Sequence, residues 1–142
     1  PQIRYPDCYG IDMAKLEEFI AFRAALALLK QDGVYDEVIQ SVYERCKQSI
    51  ENKEASPSNH VKAIYDRYSN DQISEKTSTL LKNETIKAEV EVIFQTVEGL
   101  HKACPKNLGD WYFTGNYPTP GGCRVVNQAF VNFVEKNNKR AY

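Results

Sequence analysis

The chain has 142 residues, 42% hydrophobic and 26% charged, with 18 Lys and Arg against 19 Asp and Glu. That is one domain's length at ordinary globular usage, which excludes disorder as the starting assumption. A formal net charge of -1 gives no field for steering a polyanion, and no apolar run approaches the roughly 20 residues of a membrane span, so neither nucleic acid nor a membrane is an expected partner.

Residues 1–10 (PQIRYPDCYG) read as an extended segment with a short strand over 3–9, since Pro1 and Pro6 prevent a helix interior. Asp12 then caps a helix carrying Leu16, Phe19, Ile20, Phe22, Leu26 and Leu29. These apolar positions wrap widely around it and require deep burial, and Gly33 ends it as a left-handed cap. The next helix has the cleanest stripe, with Tyr35, Val38, Ile39, Val42, Tyr43, Cys46 and Ile50 at helical spacing. After a polar linker, 52–59, Ser56-Pro57 predicts a helix start, followed by Val61, Ile64, Tyr65 and Tyr68 on one face. Ser69 with Gln72 forms a capping box for a helix bearing Ile73, Thr77, Leu80 and Leu81.

Alternation of Val90, Val92 and Phe94 with Glu91 and Ile93 predicts a short strand at 90–94, then a helix from Thr96 to about Cys104, stopped by Pro105. Residues 105–122 are loop-rich, with an aromatic strand at 111–114. The last helix is expected over about 124–137, with Val126, Ala129, Phe130 and Phe133 inward. Lys136, Lys139 and Arg140 read as its solvated last turn, where cations suit the helix dipole. The fold class is therefore mostly α, with a few short β-strands.

Chemistry is sparse. Cys8, Cys46, Cys104 and Cys123 form no CxxC pair, and His60 and His101 stand far from any Cys pair, so zinc spacing is absent. With no signal peptide and a Lys/Glu-rich composition, four reduced thiols in a cytoplasmic protein are expected. Cys46 lies on a core stripe. Gly121-Gly122 follows Pro120 rather than a buried strand, so it does not read as a phosphate loop, and no Ser sits in a GxSxG elbow. His101 is a lone helical histidine without a carboxylate partner. Glu89 and Glu91 share one face of the expected strand and read as solvated. The aromatics Trp111, Tyr112, Phe113 and Tyr117 lack interleaved basic residues and read as packing. No catalytic, cofactor-binding or metal-binding residue is assigned.

Two segments carry more than composition. They are IRYPDCYGIDMAKLEEFIA at 3–21, and VIFQTVEGLHKA at 92–103 followed by WYFTGNYPT at 111–119. In that order they resemble the C-terminal part of glutamine phosphoribosylpyrophosphate amidotransferases (amidophosphoribosyltransferases). The matching pieces are Pro6, Tyr9-Gly10-Ile11-Asp12, Glu18-Phe19-Ile20-Ala21, Val97-Glu98-Gly99-Leu100 and Phe113-Thr114-Gly115-Asn116-Tyr117-Pro118. The resemblance implies the C-terminal end of a type I phosphoribosyltransferase-like domain. Residues 1–21 and 90–142 would be family-like and 22–89 a helical insertion.

The family enzyme hydrolyses glutamine at an N-terminal cysteine and passes ammonia through a channel to phosphoribosyl pyrophosphate, making phosphoribosylamine for purine synthesis. It needs that cysteine and an Asp-Asp phosphoribosyl loop with Mg²⁺. This chain opens on Pro1 inside a motif and has no Asp-Asp pair, so a piece of a longer protein, inactive alone, is expected. Its partners would be the rest of the parent chain, in a homo-oligomer. One family branch binds an iron–sulfur cluster, but here Asp7, Lys106 and Gly109 stand at ligand positions, so no cluster is expected. Phe19 holds the apolar position of the helix that the resemblance places beside the ammonia route. It is a candidate channel-lining residue, with plain core packing as the competing reading. An alternative for the whole chain is a helical oligomerisation or partner-docking module without enzymatic activity.

Overall fold

The computed structural model describes residues 15–82, 84–106, 114–139 and 141. The strand expected at 3–9, residues 111–113 of the strand expected at 111–114, the Asp12 cap, Asp7, Cys8, Gly109, Arg140 and the Trp111–Phe113 aromatics lie outside them. The described residues form a mostly helical protein: a short 3-10 turn at Leu16–Glu18, then α1 (Ile20–Gln31), α2 (Tyr35–Glu51), α3 (Lys62–Tyr65), α4 (Asn70–Leu81), α5 (Val97–Ala103) and α6 (Pro120–Val134). No helix among them is long and apolar enough to cross a membrane.

The helix expected from Asp12 through Leu29 is interrupted. Phe19 is extended (φ -75°, ψ 119°) and stands at the N-cap of α1, not inside a helix. The break turns Leu16 into the core while Ile20–Gln31 buries Ala21, Phe22, Ala24, Ala25, Leu28 and Leu29. Three small alanines on that face let neighbouring helices approach closely, and the α1–α4 contact is among the most extensive. Asp32 is the C-cap of α1, and Gly33 follows at φ +72°, a left-handed position that suits glycine.

α2 follows the sequence stripe, burying Val38, Ile39, Val42, Cys46 and Ser49. α4 opens with the expected capping box: Gln72 N donates to Ser69 Oγ at 3.2 Å, and Ser69 N donates to Gln72 Oε1 at 2.9 Å. α6 starts at Pro120, earlier than expected. Thr119 is its N-cap, its hydroxyl accepting from Gly122 N at 3.4 Å, and Pro120 fits the first turn because that N–H has no helical partner. The helix ends at Val134, so Lys136 and Lys139 lie beyond it instead of forming its last turn.

The core joins α1, α2, α3, α4 and α6. Phe22 is its hub, fully buried, with ring centroids 6.3 Å from Tyr65, 6.4 Å from Phe130 and 5.1 Å from Phe133. The last two contacts are edge-to-face, the favoured arrangement for aromatic quadrupoles. Residues 22–81 and the C-terminal helix thus share one apolar centre. At the surface α2 and α6 are linked again, where Tyr43 OH donates to Glu135 at 2.7 Å and Lys47 Nζ donates to Tyr43 OH at 2.8 Å and to Glu135 at 3.1 Å. Its hydrogen bonds to Tyr43 and then Glu135 hold the Lys47 ammonium charged well above its usual range, and the hydrogen bonds from Tyr43 and then Lys47 lower Glu135.

The strand expected at 90–94 is absent. The segment runs between α4 and α5 without pairing to any described strand. The alternation is real, since Val90, Val92 and Phe94 are half-buried while Glu89, Glu91 and Ile93 are exposed. Its inner face lies along a helix, however, where Val92 N donates to Ser78 Oγ at 2.8 Å. A period of two reports an extended segment with one covered face, not a ladder.

Candidate functional site

The densest buried polar arrangement gathers around Asn127 on α6. Its side chain is fully buried and bonds to three partners on two chain segments, α2 and the loop at 58–60. Oδ1 accepts from the Cys46 thiol of α2 (3.6 Å) and from His60 N (3.2 Å), while Nδ2 donates to Ser58 O at 2.9 Å. A turn earlier, Arg124 Nη2 donates to Glu54 O at 3.0 Å and Ala55 O at 3.3 Å. Ser49 Oγ of α2 donates to the Glu54 carboxylate at 2.9 Å. Asn59 Nδ2 reaches Gly115 O at 2.9 Å.

This arrangement explains why Ser56-Pro57 starts no helix. An α-helix from Pro57 would need the backbone groups of 58–60 for its own ladder, but Asn127 takes two of them. The chain therefore turns, and helix begins only at Lys62. The competition is tertiary: the deciding side chain lies 67 residues on from His60.

Chemically, these groups are held in resting forms. Burial pushes the Cys46 thiol up to about 12, against a smaller opposing pull from Arg45. A thiol so raised is a hydrogen-bond donor at neutral pH, not a nucleophile. Burial also raises Cys123. His60 is lowered, first by burial and then by the Arg45 charge, with Glu54 opposing, which favours the neutral ring. Asn127 spends both its acceptor and a donor on the protein itself. A small cleft of about 420 Å³ lies alongside, with Ser49, Lys53, Arg124 and Gln128 at its polar margin.

A second, larger cleft of about 810 Å³ lies between α4 and the extended segment. Asp71, Ser74, Glu75 and Ser78 form one wall and Glu89, Glu91, Ile93 and Phe94 the other. Glu89 and Glu91 are both exposed, as the sequence reading has them. Among the described residues, no group of three or more His, Cys, Asp or Glu is arranged to hold a metal ion.

The remaining candidates lie apart. Cys46 is buried on the α2 stripe, as expected for a core position, and Cys104 is exposed after α5. His101 is half-buried on α5. Phe19 is half-buried and packs against the core from the N-cap of α1. Gly121 and Gly122 fall in the first turn of α6. Compared with protein-family models, curated proteins and solved structures, the chain matches none.

Proposed function

We propose that this chain is the C-terminal part of an amidophosphoribosyltransferase-like enzyme of purine synthesis, structural in role and without catalytic residues of its own. The observation that carries the reading is the ordered run of motifs, Tyr9-Gly10-Ile11-Asp12, Glu18-Phe19-Ile20-Ala21, Val97-Glu98-Gly99-Leu100 and Phe113-Thr114-Gly115-Asn116-Tyr117-Pro118. The geometry supports it where the two family-like ends meet. The 3-10 turn packs on α6, and Lys15 Nζ donates to Asn138 Oδ1 at 2.7 Å. Thiols held protonated, and an Asn127 committed to backbone, accord with a framework role.

On this reading the rest of the parent chain is the principal partner, within a cytoplasmic homo-oligomer, and Mg²⁺ belongs to residues outside this chain. The coding sequence upstream of Pro1 tests it. The reading requires a glutaminase domain whose mature first residue is Cys, followed by an Asp-Asp phosphoribosyl loop, and their absence contradicts it. Phe19 offers a finer test in the parent. If Phe19 lines the ammonia route, Phe19→Ala leaves glutamine hydrolysis nearly intact while phosphoribosylamine formation falls. Equal loss of both activities, tracking a lowered Tm, assigns Phe19 to packing alone.

A further inference from the structure

The end of α2 faces the first half of α6 across the smaller cleft, of about 420 Å³, a size within the roughly 300–1,000 Å³ that small-molecule sites occupy. Arg124 and Gln128 stand one turn apart on its α6 side with Val125 beside them, and Ile50 and Lys53 come from the α2 side. Two of the described lining residues are cations and none is Asp or Glu. Apolar walls beside unneutralised positive charge suit an apolar molecule with an anionic head.

Both cations are placed by the backbone and left unspent. α2 ends in a Schellman turn, in which Lys53 N donates to Ile50 O at 3.1 Å and Glu54 N donates to Ser49 O at 3.3 Å. These bonds cover helix-end carbonyls that would otherwise repel an anion. Lys53 takes the left-handed position of the turn, φ 48°, where glycine is the usual residue and a side chain costs strain. The turn sends the chain back to α6, where Glu54 O and Ala55 O hold Arg124 Nη2 at 3.0 and 3.3 Å. The Glu54 carboxylate is itself bound by Ser49 Oγ at 2.9 Å. Arg124 Nε and Nη1 and the Lys53 ammonium have no hydrogen-bond partner or ion pair among the described residues, and both side chains are exposed.

We propose that this cleft binds a small organic anion, a compact apolar body carrying one carboxylate or phosphate head, with the head meeting Lys53 and Arg124 and the body against Ile50 and Val125. Lys53 supplies a point charge on a flexible stem. Arg124, its Nη2 already spent on two carbonyls, supplies Nε or Nη1 to a single oxygen in place of a two-pronged fork. A polyanion is the poorer occupant, because the two cations are local and the chain as a whole carries -1. The site is built from α2, α6 and the turn between 52 and 55, so it stands independently of the function proposed above.

The test titrates the 142-residue chain with benzoate, phenyl phosphate and neutral benzamide at constant ionic strength, followed by residue-resolved NMR. The amides of Lys53, Arg124 and Val125 should shift and saturate with the anions, while those of Ser74 and Glu75 in the other cleft stay in place. Benzamide should bind about tenfold more weakly, because hydrogen bonds from a cation to an anion are about twice as strong as neutral ones. The tighter of the two anions identifies the head group. Lys53→Gly removes one cation and suits the left-handed backbone, so it should keep or raise Tm while weakening anion binding about tenfold. Equal affinity for benzoate and benzamide, or anion affinity unchanged in Lys53→Gly, would overturn the proposal. Shifts spread over lysines throughout the chain without saturation would also overturn it, in favour of diffuse charge attraction.

Discussion

The helical core and the segment from 84 to 106 contain comparable apolar side chains with opposite fates. In α1, α2, α4 and α6 the apolar positions recur at helical spacing, and the helices cover one another until Phe22, Val42, Ile73 and Phe130 are at most 1% exposed. In the second region Val90, Val92, Phe94, Val97 and Leu100 are only half covered and Ile93 is open to solvent. α5 takes no part in the main helix–helix contacts among the described residues. The difference teaches that apolar content alone does not place a residue in a core. Placement requires a second surface of matching period, and α4 presents the extended segment mainly with its polar face, through Asn70, Asp71, Ser74, Glu75 and Ser78.

The largest effect expected on the core side is from Phe22→Ala. Removing this hub leaves a cavity bounded by Tyr65, Phe130 and Phe133 and should cost about 3–5 kcal/mol in urea denaturation. A loss below about 1 kcal/mol would mean that the three helices do not share one centre.

Asn127→Ala comes next, at about 2–4 kcal/mol, because it orphans His60 N, Ser58 O and the Cys46 thiol, and a buried orphaned group costs about 1–3 kcal/mol. Proteolysis within 52–61 should accelerate at the same time, as the side chain that pins this loop is gone. Unchanged cleavage would show that Arg124 and Ser49 suffice.

Alkaline pH should weaken the core progressively, by little at pH 9 and more as the pH rises. Cys46 is raised to about 12 by burial, and Tyr68 to about 12, first by burial and then by its hydrogen bond to Asp32. A group raised in the folded state contributes stability below its unfolded pKa and loses it as pH rises through the folded value. For Cys46 the window runs from the ordinary value of 9.0 to about 12, with a slope of up to about 1.4 kcal/mol per pH unit. Cys46→Ser keeps a hydrogen-bond donor and removes that titration, so its stability profile should be flatter from pH 9 upward.

On the open side, Ile93→Ser should change stability by less than about 0.5 kcal/mol, since the side chain is 81% exposed. A larger loss would place Ile93 in the core and erase the contrast.

What could be read in the sequence divides along the same line. The α2 stripe and the Ser69–Gln72 box are decided within a few residues, so spacing alone finds them. The α6 start was also locally encoded, in Thr119-Pro120, but Gly121-Gly122 reads as loop unless the helix is already known to bury Gly122. The break at Phe19 was not legible, because it depends on Leu16 reaching a core built from distant helices. The failed helix at Ser56-Pro57 is the clearest case: Asn127 reads as one polar residue on an amphipathic helix, and nothing nearby marks it as the partner of Ser58, His60 and Cys46.

Native-state hydrogen exchange of the chain alone, resolved by residue, tests the contrast most directly. Amides in the middle of α1, α2 and α6 should exchange only through global unfolding, and their protection should fall together on Phe22→Ala. The amides of Glu91, Ile93 and Gln95 should exchange near the unprotected rate. Protection at those three positions equal to that of α2, without any added partner, would contradict the account.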